Sequence, residues 1–108
     1  GGFEVLARIG TEDLRKQLLE IKIGPETADA LLLYLFDRPV FISDEYARRL
    51  FRRLGFGNFD TYNDMHAVYG NVLEGLTLKQ CQEIHAVIDE HGKAFGKSKG
   101  QLDESWLR

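Results

Sequence analysis

The chain has few of the residues that restrain a fold covalently or place it in a membrane. Its 108 residues include one cysteine, Cys81, and two prolines. A single cysteine excludes an internal disulfide and any site that needs several thiolate ligands. No apolar run approaches the length of a membrane span, and the first residues lack the charged-then-apolar pattern of a signal peptide. We therefore expect a cytoplasmic protein with no membrane partner.

The chain also lacks an excess of positive charge, because 14 basic residues stand against 17 acidic ones and the net charge is -3. Such a chain does not attract nucleic acid as a whole, so any contact with DNA would have to be local. The length suits one domain, and the initial Gly-Gly is not a natural start. We expect residues 1–108 to be a single domain or a fragment of a longer protein.

Apolar residues recur at spacings of three and four almost throughout, which predicts an all-α fold. Residues 31–36 are apolar on nearly every side, so their helix is expected to be central. In so short a chain such a helix would leave an apolar patch, which favours self-association, for example as a homodimer. The expected segments are a helix pair over about 11–36, a helix over 45–54 after Asp44, helices over 62–74 and 78–95, and a polar tail over 96–108 pinned by Trp106 and Leu107.

Residues 20–29, EIKIGPETAD, form a tight corner between two predicted helices. Pro25 suits the first turn of the second helix. The unsatisfied amides and the positive dipole end at such a helix start favour a phosphate, which would hold DNA without reading its sequence. An ordinary connection between helices is the alternative, and it would be favoured if the corner stood alone.

The corner and the segment after it resemble a family of DNA repair enzymes. From Leu18 to Phe51 the chain resembles the helix-hairpin-helix region of the endonuclease III superfamily of DNA glycosylases. It looks most like the branch with an Ile-Gly-Pro-Glu-Thr-Ala-Asp hairpin, which includes 3-methyladenine glycosylases. That superfamily carries an aspartate ahead of the next helix, where Asp44 stands here. Residues 62–95 resemble the family's closing helices more weakly. The likeness covers about the C-terminal half of a typical member and implies an orthogonal helical bundle, part of the glycosylase fold.

The resemblance implies base excision repair, by hydrolysis of the N-glycosidic bond of a damaged, alkylated base in double-stranded DNA. Asp44 would be the catalytic carboxylate, which stabilises an oxocarbenium-like cation or activates water. A plain helix N-cap is its alternative role, and both can hold. Glu26 occupies the place of the lysine nucleophile of strand-cleaving members, which implies a monofunctional enzyme. The expected DNA contacts are Lys22, Ile23, Gly24, Glu26, Thr27 and Arg48.

Two other functions stay open at this point. The first is a non-catalytic helix-hairpin-helix module that binds DNA, and the second, weaker one is a helical interaction domain with no nucleic-acid role. The arginines at 48, 49, 52 and 53 would contact phosphates in the first two cases and are otherwise a solvated face.

The chain departs from the family pattern in two places. The family hairpin reads Lys-Gly-Ile-Gly-Pro-Glu, whereas residues 22–26 read KIGPE, which we interpret as one glycine short. Many members end in four cysteines that bind an iron-sulfur cluster, but the corresponding places here hold Gly96, Leu102 and Ser105. We expect no cluster, no metal and no other cofactor.

Several other side chains have ordinary interpretations. His66, His85 and His91 lie on different predicted helices or lack a recognised spacing, so they are not expected to bind a metal together. Cys81 is interpreted as a small buried side chain. Tyr34 and Tyr46 are expected in the core, with base stacking as the alternative. Asp29 is expected at the surface or as a local hydrogen-bond acceptor.

Overall fold

The structure is a computed structural model that describes residues 8–107, apart from the side chain of Trp106. Over this range the chain is all-helical, which confirms the predicted fold class. The elements are α1 (Thr11–Glu20), α2 (Pro25–Tyr34), α3 (Glu45–Leu54), α4 (Tyr62–Tyr69), α5 (Leu78–Lys97) and a 3-10 helix (Ser105–Leu107). No helix in the described range is long and apolar enough to cross a membrane.

The first two helices pack against each other through residues spaced four apart. Leu14 and Leu18 on α1 meet Ala28 and Leu32 on α2, and all four are buried. A spacing of four places both members of each pair on one helix face. Ile23, in the turn between the helices, packs on the same cluster. The turn is therefore held to the core by a side chain as well as by its backbone.

The longest helix, α5, packs against α3 and α2. Cys81 on α5 lies in a buried cluster with Leu33, Ile42 and Tyr62, as a small apolar side chain would. Burial raises the pKa of the Cys81 thiol, so the thiolate that binds metals is disfavoured. Gly92, further along the same helix, lies against Tyr46, where a Cβ would meet the ring at 2.4 Å. This contact fits the expected packing role of Tyr46.

Helix α2 contacts three other helices, α1, α4 and α5, as expected for a central helix. Ala28, Asp29, Leu32 and Leu33 are buried, but Tyr34 at the end of the helix is about half exposed. The helix is therefore not covered on every side, which fits the expectation that so short a chain leaves part of its apolar surface open.

The predicted helix over 62–74 is too long, since α4 ends at Tyr69. Gly70 and Asn71 are weak helix formers, and the chain continues in short turns. In these turns Val72, Glu74 and Leu76 donate backbone hydrogen bonds to residues three positions earlier. The change of direction brings Leu73 against two of the buried clusters.

The tail after α5 folds back and is held by an acid. Glu104 receives hydrogen bonds from Arg53 Nε at 2.6 Å and Nη2 at 2.8 Å, and it lies 2.6 Å from His91 Nε2. The guanidinium also lies over the ring of Phe95, 3.6 Å from its centre. The expected anchor at Trp106 falls outside the described side chains, so Glu104 is the contact that the structure adds.

Candidate nucleic-acid and catalytic site

The corner between α1 and α2 is a helix end followed directly by a helix start. Lys22 N–H donates to the Leu19 carbonyl and Ile23 N–H to the Leu18 carbonyl, which is the hydrogen-bond pattern of a Schellman motif. Lys22 has φ +71°, in the left-handed region that glycine usually occupies. Where the sequence interpretation saw a missing glycine, the turn is closed by a lysine in the left-handed region. Lys22 takes the backbone position that a glycine would have.

Helix α2 begins without a side-chain cap, because its N-cap is Gly24. Pro25 occupies the first turn, and Glu26 and Thr27 are exposed beside it. The first-turn amides of an uncapped helix are available to an anionic acceptor. Helix α1 also begins at an uncapped glycine, Gly10. An uncapped helix start can therefore bind an anion, but it does not by itself identify a ligand.

Asp44 has the N-cap role that was the alternative to catalysis. It precedes α3, and its Oδ1 accepts a 2.9 Å hydrogen bond from the backbone N–H of Ala47. The residue is 8% exposed. Because the cap uses one carboxylate oxygen, Oδ2 remains available on the other side. That oxygen faces α5.

Two side chains of α5, those of His85 and Asp89, lie beside Asp44. His85 Nδ1 lies 3.8 Å from Asp44 Oδ2, and His85 Nε2 lies 3.3 Å from Asp89 Oδ2. His85 and Asp89 are four residues apart, so they share one face of the helix. We call Asp44, His85 and Asp89 the acid-histidine cluster. Each offers a ligand atom, and these atoms lie within 4.8 Å of one another.

The cluster places two carboxylates together in a largely dry position. Burial, together with the hydrogen bond and the charge of Asp89, raises the pKa of Asp44 to about 7, against the N–H of Ala47 and the ring of His85, which lower it. Oδ1 of Asp89 is buried without a hydrogen-bond partner among the described residues. Carboxylates whose pKa is raised, as that of Asp44 is, are frequent at functional sites.

Tyr34 forms the rim of the cluster. Its ring meets His85 edge to face, with the ring centres 5.8 Å apart, and half of the residue is exposed. Burial of the hydroxyl, with the nearby charges of Asp89 and Asp44, raises the pKa of Tyr34. The expectation of core packing for Tyr34 is wrong, because α2 ends at this point and leaves the ring at the surface.

The arginines of α3 are occupied by acids and carbonyls. Arg48, an expected DNA contact, reaches the carbonyls of Asp44 at 3.4 Å and Asp60 at 3.3 Å. Arg52 lies 3.5 Å from Asp60 Oδ1, and Arg49 pairs with Glu45. Those two pairs are exposed and contribute little to stability. They leave a phosphate-binding role for this face possible, since exposed ion pairs exchange easily.

Asp29 does not lie at the surface as the sequence suggested. It is 1% exposed and receives Arg15 Nε on Oδ1 at 2.8 Å and Arg15 Nη2 on Oδ2 at 3.2 Å. The Tyr62 hydroxyl donates to Oδ2 at 2.6 Å. Burial and the charge of Asp29 raise the pKa of Tyr62, so the phenol keeps its proton. Asp29 is a buried, fully matched acid that ties α1, α2 and α4 together.

Each of the three histidines stands beside an acid. His66 is near Asp29, His85 near Asp44 and Asp89, and His91 near Glu104. The sequence reasoning missed His85 and Asp89 as site residues. Their spacing of four on a helix was a visible signal, but nothing in the sequence placed that face opposite Asp44. Of the residues expected to act in the site, Lys22 to Thr27 share the corner, and Asp44 and Arg48 share the start of α3.

The chain is similar to a protein of Methanocaldococcus jannaschii whose name, given provisionally, is that of a DNA repair glycosylase. The two are 37% identical over 107 residues, which cover 95% of this chain and 48% of the relative. The chain thus spans about half the length of the curated relative that it matches. No family model matches the chain, and no solved structure matches it.

Proposed function

We propose that this chain is the C-terminal part of a DNA glycosylase that hydrolyses the N-glycosidic bond of a damaged base in double-stranded DNA. The observation that carries the proposal is Asp44, a buried carboxylate at a helix start with a second acid and an imidazole beside it. The relative's name supports the same class of reaction. The helix-hairpin-helix resemblance of residues 18–51 supports DNA as the partner.

Asp44 would act on the sugar once the damaged base is out of the duplex. As the bond to the base breaks, positive charge develops on the sugar, and the ionised carboxylate stabilises that charge. Water then adds to the sugar carbon, and its proton passes to Asp44 or to solvent. The backbone N–H of Ala47 holds Asp44 Oδ1, which leaves Oδ2 for this work.

The corner between α1 and α2 would hold the DNA backbone. The amides at Gly24, Glu26 and Thr27 would meet a phosphate, with Lys22 and the half-buried Ile23 fixing the turn. Arg48 would contact a second phosphate from the start of α3. Because these contacts are made largely to the backbone, they support binding without sequence preference.

The reaction would stop at the abasic site. The position of the lysine nucleophile in strand-cleaving members holds Glu26, and a carboxylate cannot form the Schiff base that strand cleavage needs. An alkylated base such as 3-methyladenine is the proposed substrate, from the resemblance of the hairpin. With a single cysteine, the chain offers no four-thiolate set for an iron-sulfur cluster.

A non-catalytic DNA-binding module is the second candidate. The observation that favours it is that the chain spans about half of its relative. A base pocket needs walls on more than one side, so the other half could be required for activity. A cytoplasmic location stays a prediction. Self-association of the chain through its exposed apolar residues also stays a prediction, and sedimentation as a clean monomer would contradict it.

The test uses methylated duplex DNA with the full-length protein and two variants. We expect the parent to release 3-methyladenine and leave abasic sites that break only after alkali. Asp44→Asn should lower release by about 100-fold or more, since one preorganised charged group at the reacting centre is worth that much. Asp60→Asn removes an exposed acid nearby and should release bases normally.

Three other outcomes are informative. Strand breaks without alkali would contradict the monofunctional assignment. Salt-sensitive duplex binding without base release would favour the binding module. The absence of any salt-sensitive DNA binding would overturn both candidates.

A further inference from the structure

No arginine or lysine of the described chain pairs with the carboxylates of the acid-histidine cluster. Asp44 and Asp89 bring two carboxylates within 4.8 Å of each other and of a ring nitrogen of His85. Elsewhere in the described chain the buried or half-buried acids are matched by arginines: Asp29 by Arg15 and Glu104 by Arg53. The charged groups that face Asp44 from α5 are His85 and Asp89. Two carboxylates of this kind need a positive charge or a shared proton to be stable together.

His85 alone does not meet this need by hydrogen bonding. Its Nδ1 lies 3.8 Å from Asp44 Oδ2, which is beyond hydrogen-bond distance. Its Nε2 reaches Asp89 at 3.3 Å, and the other oxygen of Asp89, Oδ1, is buried with no partner within the described residues. A charged imidazole would balance one of the two carboxylates. A proton in the hydrogen bond between Asp44 and Asp89 would balance the other in the metal-free chain, and a bound ion would displace that proton.

We propose that Asp44, His85 and Asp89 bind a divalent first-row metal ion, with Zn²⁺ as the best fit. One imidazole and two carboxylates are a donor set for Zn²⁺ and its neighbours, whereas Mg²⁺ and Ca²⁺ take oxygen ligands. One ligand atom from each residue lies within 4.8 Å of the other two. Ligand atoms about 2 Å from a shared ion lie roughly 3 to 4 Å apart, so small side-chain rotations would close the three around an ion.

The surroundings suit an ion as well. The cap from Ala47 N–H fixes Asp44 through Oδ1, as the outer hydrogen bond of a metal ligand does, and leaves Oδ2 for the ion. The side chains of His85 and Asp89 are 19% and 26% exposed, so an ion can enter from the Tyr34 rim. Three protein ligands leave one position of a tetrahedral site for water. This inference does not rest on the proposed glycosylase function. Because the ion would take the same Oδ2 of Asp44 that the reaction uses, a bound ion would inhibit base release.

The test measures ion binding without DNA. After treatment with a chelator, the chain is titrated with Zn²⁺ by calorimetry, and we expect one site per chain. Asp89→Asn and His85→Gln should each weaken that site at least tenfold, as loss of a ligand does. Glu90→Gln, which removes an exposed carboxylate from the same helix, is the matched control and should bind as the parent does. Mg²⁺ should bind far more weakly than Zn²⁺.

Two results would overturn the inference. One is a parent chain that binds no stoichiometric Zn²⁺. The other is Zn²⁺ binding that both substitutions leave unchanged, which would place the ion at another histidine. Circular dichroism of each variant establishes that it is folded, and the two substitutions remove ligands of different chemistry. If both variants lose Zn²⁺ binding while folded, the loss cannot be explained by one variant that fails to fold.

Discussion

Asp29 and Asp44 are both buried, yet their surroundings are opposite. Asp29 has a guanidinium on both oxygens and a phenol that donates to one of them. Asp44 has one backbone amide, an imidazole beyond hydrogen-bond distance and a second carboxylate. The matched acid joins helices. The unmatched acid lowers the stability of the fold, and groups of this kind cluster at functional sites. The difference marks Asp29 as a structural acid and supports the proposed role of Asp44, where the sequence shows two similar residues.

The largest expected effect comes from breaking the matched site. Asp29→Asn keeps the shape but removes the charge opposite Arg15, which is itself largely buried. We expect the free energy of unfolding to fall by about 3 kcal/mol, because an uncompensated charge stays in the core. Urea denaturation measures this. A loss below about 1 kcal/mol, the scale of an exposed pair, would show that Asp29 is not a matched core acid.

A smaller effect is expected at Glu104, a second matched acid near the surface. Arg53, through its hydrogen bonds, and His91 hold the pKa of Glu104 below its usual value. We expect Glu104→Gln to lower the free energy of unfolding by about 1 kcal/mol at pH 7. Loss of protection in residues 98–105 by hydrogen exchange would locate the effect in the tail.

The same residue predicts a dependence on pH. Because folding lowers the pKa of Glu104, the ionised acid stabilises the native state above the unfolded value of about 4.3. That contribution should be lost as the pH falls through the lower, folded value. The difference between parent and Glu104→Gln should therefore shrink in acid. A difference that grows below pH 4 would contradict this sign.

The smallest effect, and one of opposite sign, is expected at the unmatched site. Asp44→Asn keeps an N-cap, since asparagine caps as well as aspartate, and removes one of two facing carboxylates. We expect the metal-free protein to gain about 1 kcal/mol of stability at pH 7.5, as removal of a costly functional group often allows. Thermal unfolding in a chelator measures it. Destabilisation comparable to that of Asp29→Asn would remove the contrast between the two aspartates.

The helical fold and most helix starts could be predicted from local patterns. Apolar spacing, Pro25 in a first turn, and the side chains of Asp44 and Thr77 at helix starts all act within a few residues. Such interactions depend on neighbours in the chain, so they are visible in its sequence. The end of α4 was missed because Gly70 and Asn71 act weakly, and packing of Leu73 decides the direction of the chain.

The candidate site was likewise predicted only in part from the sequence. The corner at residues 21–24 was predicted as a phosphate-binding turn. The sequence did not show that Lys22 supplies its left-handed residue, because a lysine in that region is uncommon. Asp44 was chosen from a resemblance. His85 and Asp89 were not chosen at all, since their role depends on the packing of α5 against α3.

The sequence by itself determined that this protein is helical, where its main turns lie and that Asp44 and Thr77 cap two of its helices. These properties arise from spacing and backbone preference over a few residues. Only the tertiary structure decided which acids have charge partners. Arg15 reaches Asp29 across 14 positions and Arg53 reaches Glu104 across 51, while Asp44 faces His85 and Asp89 from α5. The environment of a buried charge is set by the residues that packing brings to it, and those residues are distant in the chain.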